Sequence, residues 1–217
     1  MDYAAARHMM VENQIRTNRV TDPLVVAAMS ELPREAFVPE PLQGVAYVDE
    51  DIPLGGGRWL MEPLTTALLL QTAEIGPEDV VLDVGCGTGY ASAAMARMAS
   101  AVVALESDPG LAAHANAALA EFGLETVAVV EGPLQAGYPR QAPYDVIFFG
   151  GGIEEISPAI TNQLADGGRM VAVVYDKRGV GKGTLFIRVG DVVSRRGVFE
   201  AATPLLPGFE RESTFEF

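Results

Sequence analysis

Two carboxylates and a cluster of glycines set the chemistry open to this 217-residue chain. Val80–Tyr90 reads VVLDVGCGTGY. An apolar strand carrying Asp83 runs into the turn Gly85-Cys86-Gly87-Thr88-Gly89, and a helix of small residues follows. Glycines in such a turn adopt positive φ at no steric cost and let the backbone approach a ligand closely. A second acid, Glu106, stands 23 residues after Asp83, at the end of the apolar run Ala101–Leu105. In a parallel α/β unit that position presents a carboxylate to ribose hydroxyls. Strand, glycine turn and helix N-terminus together form a nucleotide-type cradle.

Two cofactor classes use this geometry. A dinucleotide site wants G-x-G-x-x-G and places a pyrophosphate on the helix dipole. Here the spacing is G-x-G-x-G, and Asp83 sits in the strand just before it. A carboxylate there repels a pyrophosphate. It suits the amino-acid end of S-adenosylmethionine, which carries an ammonium and a sulfonium. Asp83, Gly85, Cys86, Gly87, Gly89, Glu106 and the adjoining Ser107 are therefore the candidate contacts for S-adenosylmethionine. A dinucleotide and a purely structural turn stay open as alternatives.

The elements that must hold these residues follow from the pattern. Ala4–Asn18 reads as an amphipathic helix. Thr21-Asp22-Pro23 starts a second one, with a capping side chain before a proline. Pro33–Pro53 is rich in proline and predicts a short helix plus ordered loop. Leu54–Pro63 predicts a glycine loop, followed by a helix over Pro63–Ala73. After the cradle, strands are expected at Ala101–Leu105, Thr126–Val130, Tyr144–Phe149 and Met170–Tyr175, with helices at Tyr90–Met98, Pro109–Phe122 and Ile156–Ala165. Strands separated by helices predict a mostly parallel twisted sheet with helices on both faces, a Rossmann-like α/β fold. Thr184–Val189 and Val192–Phe199, joined by Gly190-Asp191, predict antiparallel strands at the C-terminal edge. One domain is expected: residues 1–62 as a helical cap and substrate loop, 63–175 as the cofactor-binding core, and 176–217 as edge strands and tail. Ligands of such sheets bind at the carboxyl ends of the strands. That rim gathers Asp83–Gly89, Glu106, Gly132, Pro133, Leu134, Gly150 and Gly151, with the loop at Leu54, Gly55 and Gly57 free to close over it.

Composition excludes several classes. Net charge is −14, and phosphate neutralisation needs clustered Lys and Arg, so no nucleic-acid partner is expected. Six of the fifteen basic residues fall between Lys177 and Arg196 and read as a solvated hairpin. No apolar run reaches the ~20 residues of a membrane span, and no signal layout opens the chain. No membrane partner is expected, and the chain reads as cytoplasmic. The lone Cys86 rules out a disulfide framework and reads as a small filler of the turn. His8 and His114 fall on presumed helices away from the rim. No metal cluster or catalytic triad is visible.

With these motifs placed, VLDVGCGTGY, VVALESD, APYDVIFFGG and LADGGRMVAVV resemble the class I S-adenosylmethionine-dependent methyltransferases. The segment MVENQIRTNRVTDPLVVAAMSELPREAFVPEPLQGVAYVDEDIPLGGG resembles the start of the protein-L-isoaspartate O-methyltransferases, and the resemblance spans most of residues 10–175. It implies methyl transfer to the α-carboxylate of an isoaspartyl residue in a protein or peptide, by a monomer or homodimer. A carboxylate acceptor is already ionised at neutral pH, so such an enzyme needs no general base; it must align the reactants and exclude water. The resemblance makes Leu54, Gly55, Gly57, Arg58, Trp59, Met61, Gly150 and Gly151 the substrate side. Three departures stand out. Trp59 and Met61 replace a threonine and a serine whose hydroxyls line the reaction centre, so no catalytic residue is assigned beyond Met61 at the serine position. Pro133 replaces an aspartate that reaches the adenine amino group. A small strand exit becomes Gly150-Gly151-Gly152. These departures predict weak or absent isoaspartyl activity and leave two readings, a methyltransferase on isoaspartyl sites or another acceptor, or an S-adenosylmethionine-binding protein whose substrate cleft is filled by Trp59 and Met61. Arg58 is then a candidate to bind the acceptor carboxylate, the alternative being a solvent-facing loop charge.

Overall fold

The computed structural model describes residues 1–211. The N-terminal helix α1 (Tyr3–Met10) is capped by Asp2, whose carboxylate accepts from Ala5 N. It continues through a π turn, Val11–Ile15, and a 3-10 turn, Arg16–Asn18, and stops where Arg19 takes φ 66°. The expected long helix is thus one rod with its last two turns rewound. Helix α2 (Pro23–Glu31) starts as read: Asp22 accepts from Leu24 N and Val25 N, and Pro23 takes the first turn, where no N–H is needed. The proline-rich stretch forms two 3-10 turns, Arg34–Phe37 and Glu40–Val45.

The expected glycine loop is instead a hairpin, β1 (Ile52–Gly55) paired with β2 (Arg58–Leu60). Its turn runs through three left-handed glycines, Gly55, Gly56 and Gly57, which no β-branched or bulky residue would tolerate. The period of two then turns Arg58 and Leu60 inward and leaves Trp59 37% exposed. Helix α3 (Pro63–Ala73) follows.

The main sheet comprises β3 (Val80–Val84), β4 (Ala101–Glu106), β5 (Val127–Glu131), β6 (Tyr144–Ile153), β7 (Leu164–Tyr175), β8 (Gly181–Val189) and β9 (Val192–Glu200). Its order is β5-β4-β3-β6-β7-β8-β9. The first five strands are parallel, and β8 and β9 add antiparallel at the edge. Helices α4 (Tyr90–Met95), α5 (Pro109–Glu121) and the four-residue α6 (Pro158–Thr161) connect them. Residues on alternate faces feed two apolar clusters: Val81 and Val146 pack with the N-terminal helices, α3 and α4, and Leu82 and Ile147 pack with Ile160, Leu206 and Phe209. This is the class I methyltransferase arrangement. The chain leaves β3 toward β4 and β5, then returns to build β6 and β7 on the other side, so the ends of β3 and its neighbours frame the crevice at the switch point.

Three expectations need correction. The Ile156–Ala165 helix shrinks to α6 because Leu164 already pairs with Tyr144 in the sheet. The strand expected over Met170–Tyr175 starts already at Leu164, so Asp166-Gly167-Gly168 lies inside β7, where the ladder shifts register between Tyr144 and Val146. The strand expected over Tyr144–Phe149 runs on to Ile153, so Gly150-Gly151-Gly152 is part of β6, at a second register shift between Phe148 and Gly152. The tail aromatic Phe209 is packed against Phe149, ring centroids 5.4 Å apart, while Phe215 and Phe217 lie outside the described residues. No helix among the described residues is long and apolar enough to cross a membrane.

A Cβ built on Gly150 would lie 2.1 Å from Gly85 O, so this glycine lets β6 lie against the cradle. Gly150→Ala should cost at least about 1–3 kcal/mol through overpacking against backbone, lowering Tm by roughly 2–4 °C per kcal/mol. Gly44→Ala, whose nearest new neighbour is 4.0 Å away, should melt with the parent. Equal melting of the Gly150→Ala and parent proteins would refute the close approach.

Candidate active site

The cradle is built as the sequence requires. Gly85, Gly87 and Gly89 all sit at positive φ, 82°, 58° and 94°. Gly85 N and Cys86 N both donate to Leu105 O, at 2.8 and 3.1 Å, which fastens the turn to β4. Thr88 Oγ1 donates to Phe37 O at 2.6 Å and ties the turn to the N-terminal cap.

Asp83 is fully buried on β3. Its Oδ2 accepts from Ser92 Oγ at 2.5 Å, and its Oδ1 has no hydrogen-bond partner. Burial pushes its carboxyl up to about 7; the Ser92 hydrogen bond and the Arg58 charge oppose this, and the Glu106 charge adds to it. Glu106 is equally buried but richly paired. Its Oε1 accepts from Arg58 Nη1 at 2.9 Å, Ser107 N at 2.7 Å and Asp108 N at 3.1 Å, and its Oε2 accepts from Gly87 N at 2.8 Å. Arg58 is itself only 3% exposed, and its Nη2 donates to Gly85 O at 2.8 Å. The arginine is therefore neither a solvent-facing charge nor free to receive an outside carboxylate. Its partner is the chain's own Glu106.

The donor set suits S-adenosylmethionine: Asp83 Oδ1 is an orphaned buried carboxylate oxygen of the kind an ammonium would satisfy, and Glu106 is an acceptor at the end of β4. Asp83, Gly85, Cys86, Leu54, Met61 and Gly150 do line one cavity, but its volume is only about 20 Å³. The space is filled from two sides. A Cβ on Gly85 would meet Arg58 Nη2 and Leu206 Cδ2, each at 2.8 Å, and one on Gly87 would meet Leu54 Cδ1 at 2.9 Å. Met61 is buried in the wall, while Trp59 keeps its partial exposure at the edge. Gly151 lies under Leu206, 2.9 Å from a built Cβ. Ser107 and Pro133 are exposed, Gly132 is half-buried, and Leu134 is buried in the cluster that holds Leu105 and Leu206. His8 and His114 are exposed, and no metal-binding group of His, Cys, Asp and Glu occurs among the described residues. Cys86 is buried, and its thiol is pushed well up, chiefly by that burial, so it is an inert filler.

Sequence reasoning missed four residues. Leu206 belongs to a C-terminal strap held by Gly152 N donating to Pro204 O and Leu206 N donating to Gly152 O. Ser92 and Tyr90 read only as parts of the small-residue helix. Arg34 is fully buried, donating from Nε to Ala46 O at 2.8 Å and from Nη2 to Met61 O at 2.6 Å, with its guanidinium 4.8 Å over the Tyr90 ring. It fixes the chain just after β2. An arginine in PREAFVP carries no local mark that separates such a clamp from a surface charge.

Comparison with known proteins agrees with this geometry. A family model described as Protein-L-isoaspartate(D-aspartate) O-methyltransferase matches residues 5–184. A protein-L-isoaspartate O-methyltransferase of Methanoregula boonei is 43% identical over 168 residues, 77% of this chain and 77% of its own length. One from Rhodopseudomonas palustris is 40% identical over 172 residues, 79% of this chain and 70% of its own. A solved protein-L-isoaspartate O-methyltransferase superposes with a TM-score of 0.81 at 26% identity, over 93% of this chain and 66% of that one.

Asp83 generates a pH test. Its folded-state pKa, about 7, lies above the ordinary 3.8, so between those values the native state holds a proton the unfolded state has lost. Stability should therefore fall as pH rises from about 4 to about 7, with a slope contribution approaching 1.4 kcal/mol per pH unit, and level off above. Urea unfolding across that range should show the slope flattened in Asp83→Asn. An identical slope in both proteins would remove Asp83 as its source.

Proposed function

Because this chain belongs to the protein-L-isoaspartate(D-aspartate) O-methyltransferase family, we propose that it methylates the α-carboxylate of isoaspartyl residues in proteins or peptides, with S-adenosylmethionine as cofactor. The observation that carries the reading is the pairing, on one rim of a class I methyltransferase sheet, of a glycine cradle with the two buried acids Asp83 and Glu106. When bound, the cofactor supplies an activated sulfonium methyl, which passes to a carboxylate oxygen and leaves a methyl ester and a thioether.

The chain's own residues have a holding role. Glu106 would take the ribose hydroxyls, Asp83 the ammonium, and Gly85–Gly89 the backbone-lined floor. Gly132–Leu134 would border the base. The hairpin carrying Leu54–Leu60, and Met61 after it, would wall the acceptor side and exclude water. An ionised acceptor has no proton to surrender, so the alignment of nucleophile and methyl is the main demand. The hairpin would supply that alignment, and Arg34 fixes its exit through the Met61 carbonyl.

Transfer of radiolabel from S-adenosylmethionine tests the reading. An isoaspartyl peptide should gain a base-labile label, and the same peptide with a normal aspartyl residue should gain none. Label in neither peptide, from a protein that binds the demethylated cofactor by calorimetry, would mean a cofactor-binding protein. The small closed cavity is the observation that would then count.

A further inference from the structure

The seat for the cofactor's ribose is already taken by a side chain. A carboxylate offers about four acceptor positions. On Glu106, Oε1 is crowded by Arg58, the N–H groups of Ser107 and Asp108 and the Ser107 hydroxyl, and Oε2 accepts from Gly87 N. Arg58 bridges further to Gly85 O, so its planar fork ties the end of β4 to the glycine turn. Leu54 from the same hairpin and Leu206 from the strap cover the remaining floor. The neighbouring cavity beside Asp83 and Gly85, about 20 Å³, is room for about one water, against the 300–1,000 Å³ or so of small-molecule sites.

We propose that Arg58 is an internal latch: its guanidinium occupies the ribose seat on Glu106, and the β1–β2 hairpin must lift it away before the cofactor enters. This rests on the cofactor assignment above. The latch is self-stabilising, because both partners are buried, and breaking their contact while the hairpin stays closed leaves a buried guanidinium without its counter-charge. An incoming ribose diol replaces one side, donating to Glu106, while lifting of the hairpin returns Arg58 to water. The three left-handed glycines at the hairpin turn carry no side chain into their surroundings, except that a Cβ at Gly56 would approach Asp108 Oδ2 to 3.3 Å. The hairpin tip is thus lightly held, and the arginine is its anchor. Cofactor affinity is lowered by the fraction of molecules that are open, so a latch closed in nine molecules of ten weakens binding about tenfold.

Calorimetry with two probes tests this. S-adenosylhomocysteine carries a carboxylate; 5′-methylthioadenosine does not. Arg58→Gln should fold, since Glu106 keeps its three backbone donors, and should bind both probes about tenfold or more tightly than the parent. Arg58→Lys keeps the charge but has one nitrogen in place of the planar fork that reaches Glu106 and Gly85 O, and should fall between. Trp59, the only tryptophan, adjoins the latch. Its emission should change on saturation of the parent, and unliganded Arg58→Gln should already lie toward that saturated value. Equal affinities in parent and both variants, with unchanged emission, would overturn the latch and leave the cofactor assignment standing. Weaker binding of S-adenosylhomocysteine alone in Arg58→Gln would also overturn it, making Arg58 a contact for the cofactor's carboxylate. No binding of either probe by any variant would remove the cofactor assignment and the latch together.

Discussion

A carboxylate with no access to water must be paired, and Glu106 is the point where this rule organises the protein. An unpaired buried charge is far costlier than any single contact in the fold. Glu106 avoids that cost by drawing donors from the hairpin (Arg58), the cradle (Gly87) and the start of α5 (Ser107 and Asp108). Asp108 in turn caps α5 by accepting from Gly110 N and Leu111 N. One side chain thus sets how three separate segments meet. It is also the residue best placed to bind a ribose, so the same need for donors that shapes the apo protein makes it receptive to a ligand.

Asp83 faces a milder version of the problem. It lies one strand away, opposite Ala104 of β4 and Phe148 of β6, with a single hydroxyl to satisfy one oxygen. Its carboxyl responds by rising toward neutrality. The two acids differ because one has charged and backbone donors within reach and the other has apolar walls. A rim that keeps one acid firmly paired and the other short of partners is prepared for a ligand bearing both hydroxyls and an ammonium.

Close packing around the cradle explains the glycines Gly150–Gly152. Gly150 makes room for the Gly85 carbonyl, and Gly151 and Gly152 make room for Leu206 and the Thr203 carbonyl. Their role is approach between segments of the chain, which a reader of sequence cannot separate from approach to a ligand. The same holds for Gly55–Gly57. A run of three glycines predicts an irregular loop, and the structure uses them as the left-handed turn of a two-stranded hairpin. Pairing partners for such short strands are set by the neighbours they pack on, so propensity gives little warning.

By itself the sequence determined the strands and helices of the core, the cradle with Asp83 and Glu106, and the family resemblance. These are local: an apolar run, a glycine spacing and a capping residue act within a few positions of one another, and their physics is complete in the string. Arg58 shows what the string withholds. Its neighbours, Gly57 and Trp59, mark it as equally fit for solvent, for an acceptor carboxylate or for an ion pair. Only the folded chain brings it within 2.9 Å of Glu106, 48 positions away, and only burial makes that contact matter. Leu206 and Arg34 were hidden for the same reason: their partners lie across the sheet or the cap, and tertiary packing chooses among contacts that sequence leaves equally open.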